Sequence, residues 1–99
     1  MDSSIAIQVL PHVSSNDQTV RIVDKVIEYI ASFDVNYEVG PFETTIEGDY
    51  DTLFEILKGC SKICIENGAP SAMTYAKINY APENLLTIEK KISKYRKDQ

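Results

Sequence analysis

The stretch from Tyr37 to Asp51 concentrates the side chains best suited to chemistry. Glu38, Glu43, Glu47, Asp49 and Asp51 are five acids with no Lys or Arg among them, and Thr44 and Thr45 stand in their midst. Such a segment creates a negative local field that attracts cations and orients amine donors, while Thr hydroxyls both donate and accept. A carboxylate facing an amino-substituted nitrogen heterocycle accepts hydrogen bonds from its exocyclic and ring N–H groups. Tyr37, Phe42 or Tyr75 could stack on the faces of such a ring, and Gln8 could complete the pocket. A competing account gives the threonines to strand propensity and the acids to solvent or helix starts, which fits Asp49 and Asp51. At the level of residue types both accounts stand.

Other chemistries find less support. His12 is the sole histidine and follows the first apolar segment in a loop, and no nucleophile has a base beside it in the sequence. A catalytic triad needs several convergent partners, so a solvent-facing loop histidine is the simpler reading. The four glycines form neither G-x-G-x-x-G nor the Walker pattern, and no D-x-D-x-D-G calcium loop occurs. Cys60 and Cys64 lie four apart inside an apolar helical pattern rather than as C-x-x-C, which suits two small buried hydrophobes better than zinc or redox chemistry. The expectation is a chain without metal, cofactor or catalysis.

Side chains in the 37–51 stretch are positioned by the elements around it. Ser4 to Leu10 alternates with period two, Ile5, Ile7 and Val9 on one face and Ser4, Ala6 and Gln8 on the other, which predicts a strand ended by Pro11. Ser15 with Gln18 three residues on has capping-box spacing, and Val20, Val23, Val26, Ile27 and Ile30 predict an amphipathic helix ending near Asp34. Val35–Val39 and Phe42–Glu47 are extended runs joined at Gly40-Pro41, a hairpin. Asp49 is placed to cap a second helix that carries Leu53, Ile56, Leu57, Cys60, Ile63 and Cys64 and terminates at Gly68. Ala72 to Tyr80 reads as a fourth strand, and a short helix from Thr87 turns Ile88, Ile92 and Tyr95 inward.

Strand, helix, strand, strand, helix, strand is the order of the split βαβ, or ferredoxin-like, arrangement. This α+β fold, βαββαβ with an antiparallel four-stranded sheet and an extra C-terminal helix, is expected as a single domain over residues 1–99. Both main helices then cover one sheet face. The other, where Ala6, Met73 and Tyr75 mix with Ser4 and Gln8, is left for a partner sheet, so homo-oligomerisation is expected. The net charge of -5 divides into +3 over residues 89–99 and -8 over the rest, a poor footprint for nucleic acid. No apolar run approaches a membrane span and the start lacks a basic leader, which leads to the expectation of a cytoplasmic chain.

Tyr37-Glu38-Val39-Gly40-Pro41, Thr44-Thr45-Ile46-Glu47-Gly48-Asp49, Asn67-Gly68-Ala69-Pro70 and Lys77-Ile78 occur in an order and at separations that resemble the small thiamine-binding, or hydroxymethylpyrimidine-binding, proteins. The likeness covers nearly the whole chain. It implies a ferredoxin-like fold, homotetramers built as dimers of dimers through sheet contacts, and non-catalytic recognition of the pyrimidine half of thiamine. Glu38, Thr44, Thr45 and Glu47 match motif positions and are carried over as ligand-binding residues; Gln8 and Tyr37 join them from the reading of side-chain types. Asn79-Tyr80 stands where the family often has an Arg, and Phe42-Glu43 where it commonly has Met-Gly. The resulting expectation is a carrier, buffer or sensor for thiamine or hydroxymethylpyrimidine. The rival readings are a regulatory interaction module of the same fold and an acylphosphatase-like hydrolase. The hydrolase is disfavoured because Pro11-His12-Val13-Ser14-Ser15 provides no Arg to cradle an anion.

Overall fold

The computed structural model describes residues 1–95. Its elements are β1 (Ser3–Pro11), α1 (Asn16–Ala31), β2 (Asn36–Val39), β3 (Thr44–Gly48), α2 (Tyr50–Glu66), β4 (Ala72–Tyr80) and α3 (Ile88–Ile92), with a 3-10 turn at Ser93–Tyr95. The strands form one antiparallel sheet in the order β2-β3-β1-β4. This is the ferredoxin-like βαββαβ arrangement with a further C-terminal helix, as the sequence predicts.

Alternation along β1 decides the layering. Ile5 and Ile7 are buried toward α1 and α2, where Ile46 of β3, Ile22, Val26 and Ile30 of α1, and Leu53, Ile56, Cys60 and Cys64 of α2 complete the core. Within α1 the buried stripe runs through Ile22, while Val20 faces solvent. The Ser15 side chain accepts from the Gln18 amide at 3.2 Å, as a cap should, but the Gln18 side chain reaches back to the Ser14 amide at 3.3 Å, one residue further than a capping box requires. α2 stops in a Schellman arrangement. The Ala69 amide bonds the Cys64 carbonyl, the Gly68 amide bonds that of Ile65, and Gly68 takes a φ of 105° that side chains other than glycine's rarely adopt.

Asp49 occupies the N-cap position of α2, yet its side chain makes no capping hydrogen bond. Asp2 takes that role from a distance, its Oδ1 accepting from the Tyr50 amide at 3.0 Å. Spacing along the chain favours Asp49, but antiparallel pairing of Ser3 with Gly48 brings the residue before β1 to the start of α2.

Close approach of the two long helices depends on Gly59. A β-carbon there would run into the ring and hydroxyl of Tyr29 on α1. Gly59→Ala should therefore force the ring aside and lower stability by about 1–3 kcal/mol, the usual cost of overpacking, read as a lower urea midpoint. An unchanged midpoint would show that the helices have room to spare.

Both cysteines are free and buried in the core. Burial pushes the Cys60 thiol from the ordinary 9.0 up to about 12, with the nearby Cys64 adding to the effect, and burial likewise raises Cys64. Because the folded state holds these protons more tightly than the unfolded chain, stability is full below about pH 9 and falls as pH rises toward about 12. Neither thiol should react with a thiol reagent at neutral pH except at the rate of unfolding, which timed labelling checks.

On the face away from α1 and α2 the sheet is partly covered. The segment after β4 turns back across it, and Ile88 at the start of α3 is buried there. The bare side expected from the order of elements is thus bare only beyond this segment, where Leu10, Met73 and Tyr75 are exposed. Tyr95, expected to turn inward, is 73% exposed, because the helix gives way to a 3-10 turn at Ser93 and changes the face on which residue 95 lies.

Candidate functional site

Register places the candidate residues. Glu38 on β2 pairs with Thr45 on β3, Thr45 with Ala6 on β1, and Ala6 with Lys77 on β4, so these four side chains form one row across the face that α3 partly covers. The neighbouring row on that face reads Asn36, Glu47, Ser4 and Asn79. Between the rows and α3 lies a cavity of about 340 Å³ lined by Ser4, Ala6, Glu38, Thr45, Lys77 and Asn79 from the sheet and by Ile88, Lys91 and Ile92 from the helix, with Ile5 and Ile78 also contributing. Its volume lies at the lower end of the ~300–1,000 Å³ typical of small-molecule sites. A second hollow of about 250 Å³, lined by Glu38, Thr45 and Gly40 to Glu43, continues from Glu38 and Thr45 toward the hairpin turn.

The small side chain of Ala6 gives the cavity a flat floor. Glu38 supplies an acceptor and Thr45 a hydroxyl at one end of the row, and Ile88 and Ile92 an apolar wall. Lys77 starts from the other end, on β4, and its side chain reaches back across β1 toward the hairpin. Lys77 Nζ meets Glu43 Oε1 at 3.1 Å, an exposed ion pair.

Glu47 has a different task. Only 5% exposed, its Oε2 accepts from the backbone amide of Ile88 at 2.8 Å and its Oε1 from Asn36 Nδ2 at 2.6 Å. The carboxylate thus fastens the start of α3 to the sheet, and its burial is compensated by hydrogen bonds at both oxygens. It shares the sheet face with Glu38 and Thr45 but does not line their cavity.

The structure separates the remaining sequence candidates from this group. Thr44 and Tyr37 face the helix side, Thr44 opposite Ile7 and Tyr37 opposite Ile46, with Tyr37 packed against the core. Gln8 lies on the open face beyond the last β1–β3 pair and, with Thr44, borders an apolar groove of about 250 Å³ between α1 and the hairpin turn. Phe42, considered as a stacking ring, is 81% exposed at that turn. Sequence reading missed Ser4, Ala6, Lys77, Asn79, Ile88, Lys91 and Ile92. Strand alternation already put Ser4 and Ala6 on the same face, but nothing local announced that the C-terminal segment folds back over them.

A hydroxyl and an imidazole do meet elsewhere. His12 Nδ1 and Ser71 Oγ are 2.8 Å apart, both side chains exposed, on a shallow surface shared with Gly68 and Pro70. Which atom donates depends on the histidine tautomer. Bathed in water, the pair lacks the desolvated surroundings that strengthen electrostatic catalysis. No group of three or more His, Cys, Asp or Glu able to hold a metal ion occurs among the described residues, and none of their helices is long and apolar enough to cross a membrane.

A model of the family described as thiamine-binding protein matches residues 5–96. The chain belongs to this family. It is similar to the UPF0045 protein of Clostridium perfringens, 45% identical over 93 residues that span 94% of this chain and 96% of that one. Among solved structures it resembles a domain of unknown function from Bacillus cereus, with a TM-score of 0.86, 36% identity and coverage of 97% of this chain and 91% of the other. It also resembles a Thermotoga maritima protein named as a candidate for thiamine biosynthesis or salvage, with a TM-score of 0.84, 32% identity and coverage of 97% and 100%. Membership of the thiamine-binding family links the chain to a small-molecule, thiamine-related role, and the cavity beneath α3 is where its acceptors and apolar surfaces converge.

Proposed function

We propose that the chain binds thiamine through its aminopyrimidine half, or binds free hydroxymethylpyrimidine, without chemically changing it, and serves as a carrier, buffer or sensor in the cytoplasm. The observation that carries this reading is the pairing of Glu38 with Thr45 beside a flat apolar floor at Ala6, in a chain of the thiamine-binding family. A planar heterocycle laid on Ala6 presents its edge to these two groups. The Glu38 carboxylate accepts from the exocyclic amino group, and from a ring nitrogen when that nitrogen is protonated, Thr45 donates to or accepts from the adjacent ring position, and Ile88 and Ile92 cover the ring's second face.

In this reading the two sequence-neighbouring threonines divide their labour, Thr45 toward ligand and Thr44 toward the core. Glu47 acts by holding α3 in place, and Gln8 and Tyr37 stand outside the ligand's immediate contacts. Leu10, Met73 and Tyr75, exposed on the uncovered part of the same sheet face, are the surface through which identical copies pair into a homotetramer. Light scattering should then return about four times the 11.1 kDa chain mass, whereas a monomer would rule that assembly out.

Calorimetry with thiamine and with hydroxymethylpyrimidine tests the binding reading. Saturable heat should accompany either ligand, together with a rise in melting temperature, since a ligand at about 100 times its Kd adds roughly 2.7 kcal/mol to the folded state. Neither heat nor stabilisation at millimolar ligand would defeat it.

A further inference from the structure

The two edges of the sheet differ. β2, at one edge, has four residues and runs into Gly40-Pro41, so it offers another chain little to pair with. β4, at the other, has nine residues, all paired with β1 on their inner side without a bulge, and none of them is proline. Among the described residues no strand pairs with its outer edge, and the strand is exposed from Tyr75 to Tyr80. The one charge on β4 is Lys77, whose ammonium leans inward across β1 to Glu43 and leaves the edge unguarded. A long edge without proline, bulge or outward charge is a template for another strand.

The residues of β4 suit a second copy of the same strand. Residues directly opposite each other in an antiparallel pair share a face, and a two-fold axis through Ala76 is the placement that pairs all nine residues. Lys77 then lies opposite the partner's Tyr75, Asn79 opposite the partner's Met73, and Tyr80 opposite the partner's Ala72. Like charges do not meet, and the large Tyr80 ring faces a small residue. An axis through Lys77 would set two lysines against each other. On the helix side, Tyr80 packs against Tyr50 and Tyr50 against Phe54, all three partly exposed, which gives the contact an apolar flank.

On the other face the partner carries the two rows of the candidate site onward. The row Glu38, Thr45, Ala6, Lys77 continues into the partner's Tyr75, and the row Asn36, Glu47, Ser4, Asn79 into the partner's Met73. Within one chain both of these side chains are about half exposed and neither lines the cavity. Across the seam, the Tyr75 ring stands beside Lys77 and diagonal to Asn79, the residues on this face of β4 that do line it.

We infer that two copies of this chain join along β4, merging their four-stranded sheets into one, and that each lends Tyr75 to the other's cavity as the ring closing its outer end. The inference rests on the binding reading above and adds the second contact that a dimer of dimers requires, since the exposed sheet face supplies only one.

Light scattering and calorimetry on the full chain and on Ala76 variants test it. Ala76 is exposed, so the fold tolerates a charge there, but on the two-fold axis that charge meets its own mate. Ala76→Glu and Ala76→Lys should each halve the mass of the parent assembly, and an equimolar mixture of the two should restore it. Each variant alone should bind hydroxymethylpyrimidine roughly two- to tenfold more weakly than the parent, the worth of one ring contact. Tyr75→Ala should show the same loss, and introduced into Ala76→Glu it should cost nothing more. A monomeric parent, an unchanged mass in both Ala76 variants, or a halved mass that mixing does not restore overturns the edge pairing and leaves the binding reading intact. Halved mass with unchanged affinity overturns the role of Tyr75. If the parent binds neither pyrimidine, the binding reading and the role of Tyr75 fall together, while the masses still decide the pairing.

Discussion

Glu38→Gln should weaken binding of hydroxymethylpyrimidine by on the order of 10- to 100-fold, because a hydrogen bond to a charged group is worth about 1.5–3 kcal/mol and each 1.4 kcal/mol is a factor of ten. The substitution keeps the size of the side chain but exchanges an acceptor-only carboxylate for an amide, whose NH2 opposes the ligand's own donors. Glu38 is exposed on the short edge strand β2, so folding stability should change little, and circular dichroism melting separates lost affinity from a lost fold. Thr45 and Thr44 supply a contrast within the same experiment. Thr45→Val removes a hydroxyl from the cavity and should cost affinity, whereas Thr44→Val alters a residue that faces the helices and should act mainly through stability. If Glu38→Gln binds as tightly as the parent, the acidic end of the row does not read the ligand.

Glu47→Ala should release α3 from the sheet. The substitution strips the buried Ile88 amide of its acceptor, and an unsatisfied buried group costs about 1–3 kcal/mol, whereas the exposed Asn36 side chain, which also loses its partner, can turn to water. α3 spans only five residues and Ile88 is its buried anchor, so the cheaper response is local undocking, which returns the Ile88 amide to water. Hydrogen exchange should therefore accelerate strongly across residues 85–95 while the core amides of β1 and α2 keep their protection. Ligand affinity should fall as well, since Ile88, Lys91 and Ile92 line the cavity. Unchanged exchange in that segment would show that the carboxylate does not hold it.

These two acids illustrate what sequence reading reaches and what it does not. The fold was legible because its determinants are local and periodic: the alternation of Ile5, Ile7 and Val9, the Ser15 cap, and Gly68 at a turn that needs positive φ. Motif likeness brought the family into view through the same segments that form the β2–β3 hairpin and the end of α2. The roles of individual acids were harder to read, because Glu38 and Glu47 differ only in what lies opposite them. Glu38 lines the cavity, while Glu47 meets the amide of a residue 41 positions later in the chain. That contact depends on where the chain goes after Tyr80, and no spacing near position 47 encodes it. The same non-local geometry moved the α2 cap from Asp49 to Asp2. Thr44 and Thr45 were distinguishable in principle, since strand alternation must send neighbours to opposite faces; what the sequence lacked was a covered cavity to make one face matter.

Backbone amide chemical-shift mapping during a hydroxymethylpyrimidine titration tests the central claim most directly. The account predicts that the largest shifts trace one connected patch through Ala6, Glu38, Thr45 and Lys77 and across to Ile88–Ile92, with the amides of α1 unmoved. Shifts centred instead on the groove between α1 and the hairpin turn, at Gln8, Val23 and Thr44, would contradict it, as would a spectrum that does not change at saturating ligand.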